Sequence, residues 1–328
     1  MHSPLHTPIC DQLGIQYPVF LAGMGGVSLA PLVAAVSNAG GLGIMGAATL
    51  DPQRLRQEIR RTRELTDKPW AVDLLAPIPE QIRPQIEVIY EENVKIFVAG
   101  LAVPSQFIAE MHSRGMTVMV MCGKVRHAQK AQQAGADIVA AQGTEAGGHT
   151  GEVGAMALIP QIVDAVGIPV IAAGGMADGR GLVAALALGA QGAIFGTRFV
   201  ASLEAQAHQG YRDAIVRAGD ADTVRTRCYT GKPARAIRNE YTDEWEGRAD
   251  SIQPFPIQAA ISVQNRVMDY MGLTDQFDPS RTFMPAGQSA GLVRDVKPAG
   301  QIVRDIVEEA EAVIRDRFTA PSLHPQAR

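Results

Sequence analysis

Eight short apolar runs follow one another between Val19 and Thr197, and no other property of the chain restricts its fold as much. They are Val19–Met24, Leu42–Ala48, Trp70–Leu75, Ile96–Gly100, Thr117–Cys122, Ile138–Gly143, Val170–Gly175 and Gly192–Thr197, with starts 21 to 32 residues apart. None alternates cleanly between apolar and polar, so each reads as a strand buried on both faces. The spacing leaves room for one helix and two loops per unit. Pro31–Asn38 stops at Ala39-Gly40-Gly41, Val125–Ala134 at Gly135 and Gly179–Leu188 at Gly189. Asp51–Leu65 opens on an aspartate cap and a first-turn proline. Eight strand–helix units in series predict an α/β fold, a (β/α)8 TIM barrel, over an open doubly wound sheet.

The pattern breaks after Thr197. From Glu204 to about Pro285 the chain is polar with scattered aromatics, and Arg235–Asp250 is dense in charge. Helices are expected at Arg212–Ala218 and Ile257–Met271. Small residues return at Ala286–Leu292, and Pro298–Arg317 is amphipathic, with Ile302, Ile306, Val307, Ala310 and Val313 on one face. Residues 1–204 are therefore expected to form the barrel and 205–285 a smaller, mostly helical inserted cap. Residues 286–328 would close the barrel, ending in a frayed tail over 319–328.

Composition excludes several classes. With 46% hydrophobic and 20% charged residues in 328, the chain is globular. A net charge of −4 without any basic run gives no reason to expect nucleic acid. Cys10, Cys122 and Cys228 are too far apart for a disulfide scaffold or a paired-cysteine zinc site, and reduced thiols fit the cytoplasm. The first residues do not read as a signal peptide. The longest apolar runs, Leu21–Val36 and Leu182–Gly196, are short of a bilayer span, so no membrane partner is expected.

In such a barrel the chemistry sits where the strands end. Residues 172–181 (AAGGMADGRG) end the seventh strand and 196–199 (GTRF) the eighth. Glycines there let backbone N–H groups face an anion, and loops after strands seven and eight are the usual phosphate site. Tight turns alone would also use glycine. The nucleotide P-loop pattern is absent. After strand six, residues 142–152 (QGTEAGGHTGE) hold His149 in a glycine-rich loop over the barrel mouth, where an imidazole suits acid–base work. A structural or surface histidine is the alternative. His127 reads as a solvated helix face, His2, His6 and His324 lie near the ends, His112 precedes a turn and His208 falls at the start of the cap. No metal site is expected. Cys122 reads as a small buried filler, and no Gly-x-Ser-x-Gly elbow is present.

Three blocks, 143–151 (GTEAGGHTG), 168–181 (IPVIAAGGMADGRG) and 188–199 (LGAQGAIFGTRF), resemble the nitronate monooxygenase family, formerly 2-nitropropane dioxygenase. Its superfamily also includes a flavin-dependent enoyl-acyl-carrier-protein reductase and an NADH:quinone reductase. The match runs from about Pro18 to Phe199 and resumes at Ala286–Leu292. The resemblance implies an FMN-bound barrel that oxidises alkyl nitronates with O2 to a carbonyl compound and nitrite. The alternative is NAD(P)H-dependent reduction of an enoyl thioester or a quinone. It implies further that Gly23 and Met24 lie under the isoalloxazine and that Asp73 stands near its polar edge or the ribityl chain. Gln142 would touch the ribityl hydroxyls, with Gly148 close by. Ala173, Gly174, Gly175, Gly196 and Thr197 would hold the phosphate, and Gln288 and Gly291 would approach from the closing segment. His149 would be the catalytic histidine. Met24, Met45, Met156 and Met176 are candidates for an apolar substrate wall, with packing the preferred role for Met45. Some members carry a lysine where Met121-Cys122 stands, and here Lys124 follows.

Overall fold

A computed structural model describes residues 3–75 and 79–318. The tail expected to fray, and also His2 and His324, fall outside the described residues. The strands are β1 (Val19–Leu21), β2 (Gly43–Gly46), β3 (Trp70–Leu75), β4 (Ile96–Gly100), β5 (Thr117–Cys122), β6 (Ile138–Gln142), β7 (Gly148–His149), β8 (Val170–Ala173), β9 (Gly192–Phe195), β10 (Thr223–Thr226) and β11 (Ala234–Ile237). Eight of them form one all-parallel sheet in the order β1-β9-β8-β6-β5-β4-β3-β2. A bridge between Phe20 and Leu42 closes it into a barrel. All eight apolar runs are strands. Several are shorter at the C-terminal end than expected, because Gly23, Gly143, Gly174 and Gly196 turn the chain into loops there.

The helices are α1 (Pro8–Leu13), α2 (Ala30–Asn38), α3 (Pro52–Leu65), α4 (Arg83–Glu91), α5 (Ser105–Ser113), α6 (Val125–Gln133), α7 (Ala155–Ala165), α8 (Gly179–Ala187), α9 (Thr197–Val200), α10 (Gln209–Arg217), α11 (Glu240–Glu246), α12 (Ile257–Gln264) and α13 (Ala299–Phe318). Asp51 caps α3 by accepting from Arg54 N, and Asp178 caps α8 by accepting from Gly181 N. The amphipathic face of α13 buries Ile302, Val303, Ile306, Val307 and Ala310. It lies so close to α8 that a Cβ on Gly179 would fall 2.3 Å from Ala310 N.

Strand pleating sorts the side chains into two cores. Val72 and Leu74 of β3, Phe97 and Ala99 of β4 and Cys122 of β5 point outward to the helices. Phe20, Ile44, Val98, Met119, Ile171 and Ile194 point inward and fill the barrel, while Ile9 and Leu13 of α1 plug its N-terminal end. One step further along the strands the inward positions are Ala22, Asp73, Gly100, Met121, Gln142, Ala173 and Gly196. Mostly small, they leave the C-terminal end of the barrel open.

The cap lies between α9 and α13. Helices α10, α11 and α12 cover under a third of residues 205–285, less than the mostly helical cap expected, and the segment carries the β10–β11 hairpin, whose second strand pairs with β7 in a three-stranded antiparallel sheet. Ala234 and Ala236 are buried, so this short strand hides inside a charge-dense stretch. The helix expected over 257–271 stops at Gln264, where Asn265 caps it and Arg266 takes a positive φ of 58°. No described helix is long and apolar enough to cross a membrane.

Candidate active site

The open barrel end and the cap enclose a cavity of about 320 Å³. Its wall includes Gly23, Met24, Asp73, Gln142, Gly148, His149, Ala173, Gly174, Gly175, Gly196 and Thr197, so eleven of the thirteen expected site residues meet there. The other two do not line it: Gln288 is exposed, and Gly291 packs against Gly219 and Asp220. The closing segment reaches the cavity instead through Gly287 and Ser289. Met24 and Met176 line it. Met156 does not, being 70% exposed on α7, and Met45 is packed in the outer core. At the end of β5 it is Met121 that faces inward, while Cys122 is a buried filler and Lys124 pairs with Glu152 at 3.2 Å. Among the described residues no group of three His, Cys, Asp or Glu could hold a metal ion.

Local hydrogen bonds set the shape of each wall. Ser28 Oγ accepts from Met24 N at 2.8 Å and from Gly46 N at 3.0 Å, folding the β1–α2 loop over the barrel. Gly174 and Gly175 take φ of 91° and 80°, a left-handed region that favours glycine. The N–H groups of Gly174, Gly175, Gly196 and Thr197 carry no hydrogen bond to the described chain, and they border the cavity. Thr197 Oγ1 accepts from Gly287 N at 2.9 Å, so its own proton stays free to donate. The N-terminus of α8 is already satisfied by Asp178. The unpaired donors at this end of the cavity are therefore the loop N–H groups, since Gly181 N and Gly179 N at the helix end are held by Asp178 and Glu309.

Two titratable groups stand out, one buried and one half-buried. Asp73 is 7% exposed, its Oδ1 has no hydrogen-bond partner, and burial pushes its carboxyl up to about 8. His149 sits at β7, opposite Ala234 of β11, with its carbonyl oxygen accepting from Gln142 Nε2 at 3.2 Å. Its Nε2 lies 3.0 Å from Thr230 Oγ1. Burial, followed by the nearby Lys232 ammonium, lowers its pKa to about 4, so the ring is neutral at pH 7.

The cap supplies what sequence reasoning missed: Tyr211, Thr230, Met268, Tyr270 and Phe283 form the cavity roof. Tyr270 donates to the carbonyl of Gly25 at 3.0 Å, tying the cap to the barrel. Scattered aromatics in a polar stretch were the available signal, but their convergence is a tertiary fact.

The orphaned Asp73 Oδ1, the unpaired loop N–H groups and a Gly148 whose Cβ would meet nothing within 4 Å suit a planar ligand with a phosphate tail. A barrel with that pocket and a half-buried histidine on its wall suits a cofactor-dependent enzyme. The nitronate monooxygenase family model matches residues 6–85 and 81–309, and the chain belongs to that family, which implies a flavin. A probable nitronate monooxygenase of Staphylococcus saprophyticus is 35% identical over 94% of this chain and 99% of its own. A (3aS,4S,5R,7aS)-5-hydroxy-7a-methyl-1-oxo-octahydro-1H-indene-4-carboxyl-CoA dehydrogenase of Rhodococcus jostii is 39% identical over 74% of this chain and 69% of its own. The solved FabK from Thermotoga maritima is 37% identical, with a TM-score of 0.87 over 95% of this chain and 98% of that one.

Proposed function

We propose that this chain is an FMN-dependent nitronate monooxygenase, oxidising small alkyl nitronates with O2 to a carbonyl compound and nitrite. The observation that carries it is a single imidazole, His149, on the wall of a mainly apolar cavity that is also bordered by the unpaired N–H groups of Gly174, Gly175, Gly196 and Thr197. Gly174, Gly175, Gly196 and Thr197 would hold the FMN phosphate, and Asp73 and Gln142 would meet the polar parts of the flavin. When bound, the flavin supplies the electron acceptor that links substrate to O2. Met24 and Met176 give an alkyl chain an apolar wall, and the cap roof excludes water. A nitronate brings negative charge beside His149, which favours the imidazolium and a charge-assisted hydrogen bond to a nitro oxygen.

The test is anaerobic mixing of the purified yellow protein with propionate 3-nitronate, and separately with NADH and NADPH, while following flavin absorbance. Rapid flavin reduction by the nitronate and little by the nicotinamides supports the reading. The reverse result rejects it. A second reading, dehydrogenation or reduction of a thioester with NAD(P)H, has one observation behind it: the 39% identity to a CoA-ester dehydrogenase. Fast bleaching by either nicotinamide would favour it.

A further inference from the structure

We propose that Thr230, carried on the cap hairpin, holds His149 as the Nε2–H tautomer and so makes Nδ1 the atom that meets the substrate. The inference rests on the role of His149 given above. A hydroxyl has one proton and two acceptor sites. Thr230 Oγ1 donates to the carbonyl of Lys232 at 3.2 Å and accepts from Lys232 N at 3.4 Å, within the turn between β10 and β11. With the hydroxyl proton given to Lys232 O, one acceptor site remains for His149 Nε2 at 3.0 Å, and in that arrangement the nitrogen carries the hydrogen. Nδ1 has no partner among the described residues, and the ring lines the cavity.

The Thr230 contact is the one hydrogen bond the ring makes among the described residues. The His149 backbone is held in β7 against β11, and Thr150 N, next in the chain, donates to Pro233 O at 3.2 Å. The charged groups on the elements packed around it are Lys232, Arg235 and Glu145. Arg235 Nε donates to Thr144 O at 3.0 Å, and the Glu145 carboxylate is turned away onto Ala155 N at 2.9 Å. No carboxylate hydrogen-bonds the ring, so Thr230 is what decides the tautomer.

The consequence is chemical. A neutral Nε2–H imidazole offers the substrate a lone pair and no proton. With a nitroalkane, Nδ1 takes the α-proton: the C–H bond breaks, its electron pair passes into the nitro group, and a nitronate forms beside an imidazolium. With a preformed nitronate the same pair arises when Nδ1 takes one proton from solvent. Both routes leave Nε2–H on Thr230. Thr230 is a positioning residue, and His149 is the group that touches substrate.

The experiment is NMR of the flavin-loaded protein carrying 15N-labelled histidine, with the His149 signals identified by their loss in His149→Gln. Wild type is expected to show Nε2 protonated and Nδ1 bare. Thr230→Val is expected to give mixed or reversed tautomers and a kcat on nitroalkanes lower by about 10²-fold, below the roughly 10⁴-fold cost of a wrong tautomer in a serine-protease triad. KM should stay within about twofold, and Thr230→Ser should restore both spectrum and rate. A wild-type ring protonated at Nδ1, or a Thr230→Val spectrum unchanged from wild type, overturns the proposal. Full turnover in His149→Gln would instead remove the functional reading, leaving the tautomer result to stand or fall by itself.

Discussion

Asp73 occupies the space that a side chain at Gly23 would need: a Cβ built on Gly23 falls 2.4 Å from both Asp73 Oδ2 and Asp73 Cβ. The two residues come from neighbouring regions of the barrel mouth, and each accounts for the other. Gly23→Ala should displace the carboxyl, destabilise the protein by about 1–3 kcal/mol and lower its flavin content. The double variant with Asp73→Gly, which removes the Cβ as well as the carboxyl, should recover much of the stability but not the flavin. Urea unfolding and the flavin-to-protein absorbance ratio check this, and additive stability losses would show that the two do not compete for one space.

The buried Asp73 carboxyl also makes the flavin-free protein less stable as the pH rises from acid to about 8. Its folded pKa is about 8 against an ordinary 3.8, so between those values the native state keeps a proton that the unfolded chain has released. Stability contributed by that proton is lost as pH rises through this window and levels off above it. Asp73→Asn should flatten the dependence. Melting curves from pH 5 to 9 test it, and parallel slopes in the two proteins would reject it.

His149→Ala should keep its flavin, since the proposed phosphate contacts lie on other loops, and lose about 10²–10⁴-fold in turnover. Nitrite release under saturating nitronate is the assay. Full activity would remove His149 from the chemistry.

Gly175→Asp should purify with little flavin. The position has φ 80°, its Cβ would lie 3.5 Å from Glu145 Cβ, and a second carboxylate there would face the phosphate. The flavin-to-protein ratio reads the effect, and full occupancy would move the phosphate elsewhere.

Tyr270→Phe removes the hydrogen bond from the cap to Gly25 while leaving the ring. It should cost about 0.5–1.5 kcal/mol and expose the cap to proteolysis sooner. Identical cleavage rates would show that the cap is held by packing alone.

The barrel was readable in the chain because strands buried on both faces must be continuous apolar runs, and glycine marks where each helix stops. The turns proposed to hold the phosphate were readable for a related reason: Gly174 and Gly175 need a backbone geometry that few other residues adopt. The β10–β11 hairpin was not. Ala234 and Ala236 are buried only because β7 and the cap helices come together around them, and no local pattern in a stretch rich in arginine reports that. Gln288 and Gly291 show the limit of carrying residues over from a family. Their segment does reach the cavity, but through Gly287 and Ser289, because the backbone turns at that point. Met156 sits on the outward side of α7, a matter of helix phase that its place in the sequence did not reveal.

The two-residue strand β7 has a consequence for how such enzymes diversify. It is made by the barrel chain yet sheeted with the insertion, so barrel and cap are not interchangeable modules. A graft that replaced 205–285 with a relative's insertion would also strip Gly148 and His149 of their antiparallel neighbour, changing the reacting group along with the roof. Recombinants should therefore keep their activity when the crossover points leave 148–285 as one inherited block.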